Sequence, residues 1–370
     1  MNPASAVHIH LVSAARPNFM KIAPLYHRLK EKKWAYPQIV HTGQHYDFAM
    51  SAAFFENLGL PEPSFNLEIG SGSHAEQTGK VMIAYEKVIM ERRPDLVVVA
   101  GDVNSTMAAA ITSVKLGIKT AHLEAGLRSF DRSMPEEINR LITDTICDML
   151  WTPSKDGDDN LRNEGIPSEK ITRVGNIMID SFEMLRSRIE AENILKDYNL
   201  RNGEYAVLTL HRPGNVDHPT KLKEIVGRLI SISNAITIVF PVHPRTRRKL
   251  EENGLWIKLQ REQNIKLTMP LNYICFMKLV MHSRLVITDS GGIQEETTYL
   301  GIPCLTLRPN TERPITIIEG TNKLCDSETI GKAVKEVLDG REGNCSKPEL
   351  WDGKTSNRIV ALIETLYGFI

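Results

Sequence analysis

Serine and glycine residues that could bind phosphate follow directly on an apolar segment of this chain. The run Leu285–Thr288 ends in an Asp-Ser-Gly-Gly turn and continues at once into a helical pattern. A helix start directs unpaired backbone N–H groups and the positive end of the helix dipole at one point, which suits an anion. Glu296 follows one helical turn later, within reach of a hydroxyl-rich group such as ribose. The segment therefore predicts a nucleotide site whose phosphate contacts are Ser290, Gly291 and Gly292.

Titratable residues at the ends of other apolar runs could transfer protons. Asp102, Glu124 and His211 each come shortly after a candidate strand, and Glu136 lies in the polar segment that follows Glu124. Carboxylates and a histidine in such positions are typical of acid–base machinery beside an anionic ligand. Further basic or polar residues at strand ends are Arg16, Lys21 and His243.

Each of these residues also has a purely structural interpretation. Asp102 could cap the helix that follows it, and His211 could be a hydrogen-bonded loop residue. Glu124 and Glu136 could each pair with an arginine four positions later on a helix. Those arginines are Arg128 and Arg140. A functional site is favoured because the structural interpretation requires every strand end to be charged by coincidence.

Two further motif matches do not predict a site. The segment Gly70–Ala75 fits the G-x-G-x-x-A dinucleotide pattern, but it follows a partly polar, proline-containing stretch instead of a buried strand. Ser290 lacks the preceding glycine that a nucleophile elbow requires, so it is not an acylating serine. The histidines have no metal-ligand spacing, and we predict no metal and no cofactor.

Short apolar runs alternate with amphipathic helical patterns throughout, which is typical of parallel sheets covered by helices on both faces. The candidate strands are Val7–Val12, Gln38–Thr42, Leu96–Ala100, Thr120–Leu123, Leu150–Pro153, Tyr205–Leu210, Ile236–Val242, Ile265–Thr268, Leu285–Thr288 and Pro303–Thr306. The helical segments include Phe19–Glu31, Ala75–Glu91, Ser105–Leu116 and Lys221–Ser231. The fold class is therefore α/β with doubly wound parallel sheets, which bind ligands beyond the carboxyl ends of their strands.

The chain of 370 residues exceeds what one hydrophobic core usually supports, so we expect two domains. The strands form two series that meet near Val174-Gly175-Asn176. We predict an N-terminal domain over residues 1–175 and a nucleotide-binding C-terminal domain over 176–355, with the chemistry in the cleft that they face. The C-terminal helical segment 356–370 is expected to pack back on the first domain.

Composition excludes several classes of partner and compartment. The formal net charge is zero, so neither a nucleic acid nor a membrane surface is expected as a partner. The five cysteines have no paired or zinc-binding spacing, which indicates reduced thiols in a cytoplasmic protein. No apolar run approaches the length of a membrane span.

The motifs together resemble those of one enzyme family over essentially the full chain. The matching strings are ARPNFMKIAPL, TGQHYD, GDVNST, HLEAGLRS, PEEINR, TLHRPGN, PVHPRT, TDSGGIQEE and TERP, in this order. The chain resembles the non-hydrolysing UDP-N-acetylglucosamine 2-epimerases. This resemblance implies two Rossmann-like domains in a glycosyltransferase-B-like fold, a homodimer, and interconversion of UDP-N-acetylglucosamine with UDP-N-acetylmannosamine.

The resemblance also implies roles for individual residues. The positions that match the family's catalytic residues are Asp102, Glu124, Glu136 and His211. The positions that match substrate contacts are Arg16 and Lys21 near the sugar, Leu271 and Phe276 at uracil, Ser290, Gly291 and Gly292 at diphosphate, Glu296 at ribose, and Arg313. The family's reaction eliminates UDP to give 2-acetamidoglucal and then adds UDP back.

The chain departs from the family pattern at several positions. Asn18, Asp47 and Ser73-His74 replace residues that, in some members, help form a second, activating substrate site. Substrate activation is therefore not implied here. Ile315 replaces the usual glutamate after TERP.

Three alternative activities remain open from the sequence. A hydrolysing relative would release N-acetylmannosamine and UDP. A similar site could also epimerise a modified sugar nucleotide such as a diacetamido uronic acid. A UDP-sugar glycosyltransferase of the same architecture would bind UDP at a Ser-Gly-Gly turn but would need an acceptor site.

Overall fold

The computed structural model describes residues 6–43, 55, 57–341 and 345–369. The chain divides into two compact units, of which the first comprises Met1–Met184 with Glu349–Ile370 and the second Leu185–Pro348. The division falls inside the helix Ile177–Ala191, a short distance after Gly175.

The first unit contains a parallel sheet of seven strands in the described part of the chain. Strands β1 to β7 are Val7–Ser13, Ala35–His41, Phe65–Asn66, Leu96–Ala100, Lys119–Leu123, Met149–Thr152 and Ile171–Arg173. Their order across the sheet is β3-β2-β1-β4-β5-β6-β7. Helices α1 to α6 are Arg16–Lys30, His74–Glu91, Asn104–Lys115, Pro135–Ile146, Lys155–Asn163 and Ile177–Ala191.

The second unit repeats this plan with six parallel strands among its described residues. Strands β8 to β13 are Tyr205–Leu208, Thr237–Pro241, Ile265–Thr268, Leu285–Thr288, Cys304–Leu307 and Asn322–Cys325, in the order β10-β9-β8-β11-β12-β13. Helices α7 to α15 are Ile194–Asp197, Pro213–Val216, Pro219–Ser233, Pro244–Glu252, Trp256–Gln260, Tyr273–Met281, Gly292–Leu300, Ile315–Ile318 and Ile330–Leu338. The last helix of the chain, α16, is Thr355–Leu366.

The central strands are buried on both faces, as the continuous apolar runs of the sequence predict. All residues of β4, β8, β11 and β12 are buried. Helices cover these faces with apolar residues spaced three or four apart. In α9 these residues are Leu222, Ile225, Val226 and Leu229. The fold class expected from the sequence, α/β with two doubly wound parallel sheets, is confirmed.

Each sheet reverses its strand order next to its first strand. Strand β1 lies between β2 and β4, and β8 lies between β9 and β11. The segments that leave adjacent strands at such a switch point separate and leave a crevice beyond their carboxyl ends. The turns at these ends therefore define where ligands of each unit are expected.

Three short strands were not expected from the sequence. They are β3, β7 and β13, and each lies at the edge of its sheet. The strands β3 and β7 consist of two and three residues, none of them buried. These strands pair with a neighbour on one side only and lack the continuous apolar run that marks a central strand.

The C-terminal helix packs on the first unit. The backbone N–H groups of Thr355 and Ser356 donate to the Asp180 carboxylate at 3.0 and 2.8 Å. At the other end of α16, Glu364 accepts a hydrogen bond from the Trp34 indole at 3.0 Å. Two separate stretches of the chain thus complete one unit.

The dinucleotide-like segment at 70–75 forms a helix start. The Ser73 hydroxyl accepts the Glu76 N–H at 3.3 Å, and the Glu76 carboxylate accepts the Ser73 N–H at 2.9 Å. This reciprocal pair is a capping box for α2.

Among the described residues, no helix has both the length and the apolar character needed to cross a bilayer.

A matched pair of glycine substitutions tests the packing behind β5. Gly126 and Gly165 both have φ of +81°, but a Cβ on Gly126 would lie 2.4 Å from the Gly157 carbonyl oxygen, whereas nothing lies within 4 Å at Gly165. We expect Gly165→Ala to lower the free energy of unfolding by about 1–2 kcal/mol through its left-handed backbone. Gly126→Ala should lower it by about 2–5 kcal/mol because overpacking adds to that cost. Equal losses in urea denaturation would contradict the close contact.

Candidate active site

The carboxylates Asp102 and Glu124 follow neighbouring strands of the first sheet. Strands β4 and β5 pair in parallel, with Ala100 opposite Leu123. Glu124 comes directly after Leu123, and Asp102 lies two residues after Ala100. The register therefore brings both residues to the same edge of the sheet.

Glu124 is buried and ion-paired with Lys21. Its carboxylate accepts a hydrogen bond from the Lys21 ammonium, and the two side chains are 7% and 9% exposed. Lys21 belongs to α1, which follows β1. Glu124 also has a φ of +75°. A residue other than glycine keeps this conformation only where its surroundings enforce it, and such residues cluster at functional sites.

Arg128 does not serve as the partner that helical spacing suggested for Glu124. Its guanidinium pairs with Asp144 and with Glu164, with nitrogen–oxygen distances of 2.7 Å in both pairs. The tertiary structure thus gives Glu124 a lysine from another element instead of the nearby arginine.

Asp102 is held by Arg140. Its Oδ2 accepts hydrogen bonds from Arg140 Nε at 3.0 Å and Nη2 at 2.7 Å. The Arg140 side chain is 4% exposed and that of Asp102 is 30% exposed. Helix α3 has Val103 at its N-cap and no side-chain capping bond, so Asp102 does not cap this helix.

Glu137, a residue that the sequence did not single out, is the second partner of Arg140. Its Oε2 lies 2.6 Å from Arg140 Nη1. Although burial raises the pKa of Glu137, N–H groups of Ser129 and Phe130 and the charge of Arg140 bring it below its ordinary value. Glu136 is half-buried one position earlier on α4. The available signal was the i, i+3 spacing of Glu137 and Arg140, which places both on one helix face.

In the second unit, Asp289 organises the segment that follows β8. Fully buried after β11, it accepts the N–H of His211 at 3.0 Å and that of Arg212 at 2.8 Å. His211 Nδ1 lies 2.9 Å from Oδ1 of the same carboxylate. Although burial raises the pKa of Asp289, these bonds lower it below its ordinary value. An ionised carboxylate only accepts, so Nδ1 of His211 carries its proton and Nε2 is directed away from Asp289.

His243 lies next to His211, with ring centroids 5.9 Å apart. Its Nδ1 accepts the Arg245 N–H at 3.2 Å and caps α10. Burial and the neighbouring charges of His211 and Arg245 lower the pKa of His243. His243 is therefore a neutral imidazole whose Nε2 carries the proton.

The Ser-Gly-Gly turn is packed on one side and open on the other. Gly291 is the N-cap of α13 and Gly292 its first residue. A Cβ on Gly291 would lie 2.7 Å from Glu312 Oε1 and 2.9 Å from Arg313 Nη1. At Gly292 nothing lies within 4 Å of that position. The open side leaves room for a ligand at the helix N-terminus.

Arginines surround Glu312 beside this turn. Arg308 and Arg313 pair with it at 2.8 Å each, and Arg212 approaches to 3.8 Å. Arg313 also lies 2.9 Å from Glu295. Burial raises the pKa of Glu312, but the charges of Arg313 and Arg308 hold it well below its usual range. Arginine side chains next to a helix N-terminus are well suited to an anionic ligand such as phosphate.

Glu296 is buried on α13 and accepts a hydrogen bond from the Tyr273 hydroxyl at 2.7 Å. Tyr273 begins α12, which also carries Phe276 and follows Leu271 after one residue. This bond links the proposed ribose carboxylate to the proposed uracil segment. Sequence reasoning missed Tyr273, because only the tertiary structure brings the two helices together.

The predicted site residues fall into two sets, one in each unit. The first unit carries Arg16, Lys21, Asp102, Glu124 and Glu136. The second carries His211, His243, Leu271, Phe276, Ser290, Gly291, Gly292, Glu296 and Arg313. Within each unit these residues lie in the turns after strands or in the helices that follow those strands. No group of three or more metal-ligating side chains was found among the described residues.

The structure places some, but not all, of the remaining residues that the family comparison singled out. Arg16 is the first residue of α1, and the structure describes its backbone only. Asn18 is buried, and its amide donates to the Ala100 carbonyl at 2.7 Å. Ser73 belongs to the capping box of α2. Asp47 lies outside the described residues.

Comparisons with known proteins connect this arrangement to one family. A family model described as UDP-N-acetylglucosamine 2-epimerase matches residues 27–364. A Methanococcus maripaludis protein, named as a UDP-N-acetylglucosamine 2-epimerase homolog, is 46% identical over 366 residues, covering 96% of this chain and 99% of its own length. The Pseudomonas aeruginosa UDP-2,3-diacetamido-2,3-dideoxy-D-glucuronate 2-epimerase is 38% identical over 346 residues, which are 93% of this chain and 94% of that protein.

A solved structure resembles the chain over the same extent. The crystal structure of Methanocaldococcus jannaschii UDP-GlcNAc 2-epimerase in complex with UDP-GlcNAc and UDP has a TM-score of 0.87 at 42% identity. The match covers 96% of this chain and 99% of that one.

The ionisation of Glu296 predicts a pH-dependent stability. Burial raises the pKa of Glu296 to about 7, against which the Tyr273 hydrogen bond acts. A carboxyl group whose pKa is higher in the folded than in the unfolded chain stabilises the fold when protonated. Relative to Glu296→Gln, the wild type should therefore lose roughly 3 kcal/mol of unfolding free energy as the pH rises from about 4.5, the ordinary value, through about 7.

The measurement is urea unfolding of both proteins across this pH range. Tyr273→Phe removes the hydrogen bond that lowers the pKa of Glu296, so the loss should extend to higher pH. A difference between wild type and Glu296→Gln that does not vary with pH would exclude a buried, neutral Glu296.

Proposed function

The chain belongs to the UDP-N-acetylglucosamine 2-epimerase family, and we propose that it interconverts UDP-N-acetylglucosamine and UDP-N-acetylmannosamine by eliminating UDP and adding it back. The enzyme is an isomerase that inverts C2 of the sugar. The matching relatives extend over nearly the whole chain, and a solved structure at 42% identity contains UDP-GlcNAc and UDP.

One observation in the structure carries the proposal. Asp102 and Glu124 follow paired residues of adjacent strands, and each is held by a buried cation from another element. Inverting a carbon centre requires that a proton leave one face and another proton arrive on the opposite face. Two carboxylates fixed at one sheet edge are suited to these two transfers.

The chemistry explains why elimination is favoured over direct proton exchange. No ketone lies next to C2 in the substrate, so its proton is not acidic enough for direct abstraction. In the proposed route a carboxylate takes the C2 proton while the C1–oxygen bond to UDP breaks, which leaves 2-acetamidoglucal and UDP. The reverse step protonates C2 on the other face as the UDP oxygen attacks C1. We assign the two proton transfers to Asp102 and Glu124.

The second unit is proposed to hold the nucleotide and stabilise its departure. Negative charge grows on the diphosphate as the C1–oxygen bond breaks, and fixed donors stabilise such charge. The turn of Ser290, Gly291 and Gly292 would supply backbone N–H groups, and Arg313 would supply positive charge. Leu271 and Phe276 would contact uracil, and Glu296 the ribose hydroxyls.

The remaining assigned residues support the reacting groups. We assign Glu136 to position or protonate the sugar, and His211 to contact the phosphate or relay a proton. The bond between Asp289 and His211 Nδ1 supports this role because it directs Nε2 away from the carboxylate. Arg16, Lys21 and His243 complete the proposed substrate contacts.

Epimerisation of a modified sugar is the strongest alternative. The relative that acts on a diacetamido glucuronate nucleotide is 38% identical, close to the identity of the N-acetylglucosamine epimerases. Both activities need the same proton transfers at C2 and differ only in contacts to the sugar substituents.

We further propose a cytoplasmic homodimer that needs no cofactor. Elimination and readdition use only acid–base groups and the substrate's own UDP, so the reaction does not call for a cofactor. All five cysteines are free thiols, which fits a reducing compartment. The dimer is what the family resemblance implies.

Solvent deuterium tests the proposed reaction. In deuterated water with UDP-N-acetylglucosamine, both epimers should acquire deuterium at C2, because the proton removed exchanges with solvent before the reverse step. Proton NMR measures the loss of the C2 signal and identifies the products, with heat-denatured protein as the control. Epimerisation without label would exclude elimination. Release of free N-acetylmannosamine would indicate the hydrolysing activity, and turnover of only the diacetamido nucleotide would indicate the modified substrate.

An asparagine substitution tests the role of Asp102. Asp102→Asn should lower kcat by about 10²–10⁴-fold, which is the usual contribution of a general acid or base. UDP affinity, measured by calorimetry, should not change because the proposed UDP contacts lie in the other unit. The matched control is Asp148→Asn, since Asp148 bonds Thr120 N–H at the amino end of β5. Equal kcat values for the two variants would show that Asp102 is not catalytic.

A further inference from the structure

A fully buried histidine, His122, contacts the segments that carry the two proposed catalytic carboxylates and takes no part in the proposed reaction. His122 is in β5 and is 0% exposed, with Val99 and Leu150 beside it in the neighbouring strands. Its Nδ1 lies 2.6 Å from Asp144 Oδ1, and its Nε2 lies 2.8 Å from the Gly101 carbonyl oxygen. Both ring nitrogens therefore have a hydrogen-bond partner.

Both partners of His122 can only accept hydrogen bonds. The other oxygen of Asp144 pairs with Arg128 at 2.7 Å and accepts the Gly126 N–H at 3.1 Å, so Asp144 is an ionised carboxylate. The Gly101 carbonyl has no proton to donate. A neutral imidazole carries one proton and would direct a lone pair at one of these oxygens. Each ring nitrogen of His122 must therefore carry a proton.

A protonated His122 also suits the charges of its neighbours. Asp144 and Glu164 are the carboxylates of the cluster, and Arg128 pairs with both. Buried charges are stable only when they are paired and hydrogen-bonded. A cationic His122 supplies the second positive charge. The thiol of Cys147 nearby stays neutral because burial and the charge of Asp144 raise its pKa.

His122 and Asp144 bind the backbone next to each of the two proposed catalytic carboxylates. His122 binds the carbonyl of Gly101, which directly precedes Asp102. Asp144 binds the N–H of Gly126, and Glu124 lies between His122 and Gly126 with its left-handed backbone. A single ion pair thus fixes both turns.

We propose that His122 is a doubly protonated positioning residue which, with Asp144, sets the turns that carry Asp102 and Glu124. This rests on the proposed function only in naming those two carboxylates as catalytic. The protonation state follows from the hydrogen-bond partners alone. His122 does not itself contact substrate in this proposal.

His10 is a matched control in the same sheet. It is also 0% exposed, on β1, and its Nδ1 lies 3.1 Å from the Tyr85 hydroxyl. Among the described residues its Nε2 has no hydrogen-bond partner. Burial lowers the pKa of His10 to about 4, so this histidine is neutral at physiological pH. The two histidines share burial and differ in what their rings contact.

Nitrogen NMR of the full chain with labelled histidine tests the protonation state. In the folded protein near neutral pH, His122 should show two protonated ring nitrogens, because both of its hydrogen-bond partners are acceptors. His10 should be neutral under the same conditions, and His122→Gln and His10→Gln assign the two signals. A His122 ring that is neutral, or that titrates near pH 6.5, would overturn the proposal.

Kinetics of the same variants tests the positioning role. His122→Gln should lower kcat per UDP-binding site by about 10²-fold, the scale of a misplacement near 1 Å, while KM and UDP affinity stay within about twofold. His10→Gln should lower Tm and leave kcat per site unchanged. An unchanged kcat per site in His122→Gln would leave His122 with a structural role only and overturn the proposal.

A second variant and the activity of the wild type distinguish failure of this proposal from failure of the proposed function. If His122→Gln does not fold, Asp144→Asn should show the same loss of kcat. The amide has one acceptor oxygen and no charge, so His122 Nδ1 and the Gly126 N–H cannot both keep their acceptors. A wild type that does not epimerise UDP-N-acetylglucosamine would refute the proposed function. The NMR result on His122 would still decide its protonation state.

Discussion

The ionised side chains to which we assign chemistry in the first unit lie at the ends of strands that are buried on both faces, where an opposite charge from the protein stabilises them. Removing a charge from water is costly unless it is paired and hydrogen-bonded. Lys21 meets Glu124, Arg140 meets Asp102, and Arg313 meets Glu295. These pairs join different helices and strands, and they fix the positions of the groups to which we assign chemistry.

Each unit contains a buried aspartate bonded to a histidine ring, and we assign the two histidines different roles. An aspartate binds a histidine ring at 2.6 Å in the first unit and at 2.9 Å in the second. His122 is fully buried and its second nitrogen binds a carbonyl, so it holds backbone. The His211 side chain is 40% exposed, so its second nitrogen can reach a ligand. In our proposal, the exposure of the ring distinguishes the histidine that supports the backbone from the one that contacts the ligand.

Much of the fold was predictable because its central strands are long, apolar and separated by amphipathic helices. The central strands Leu96–Ala100 and Leu285–Thr288 have the predicted bounds, and so does the edge strand Ile265–Thr268. The edge strands β3 and β7 were missed because they are segments of two or three residues without buried positions and have no apolar pattern. Among site residues, position after a strand marked Asp102 and Glu124. Tyr273 was missed because its partner, Glu296, comes from another helix. Glu137 had a local signal in its i, i+3 spacing to Arg140, but that arginine was matched with Glu136 instead.

The sequence by itself determined which residue types follow each strand, since alternating strands and helices carry a local signal and parallel strands end at a common edge. The sequence also contains the motifs that identify the family. Only the tertiary structure decided the partner of each charge. Local spacing offered Arg128 to Glu124 and Arg140 to Glu136, whereas the folded chain pairs Glu124 with Lys21 and Arg140 with Asp102 and Glu137. The reason is physical: a buried charge is stabilised by the counter-charge nearest in space, and packing of distant segments sets that distance.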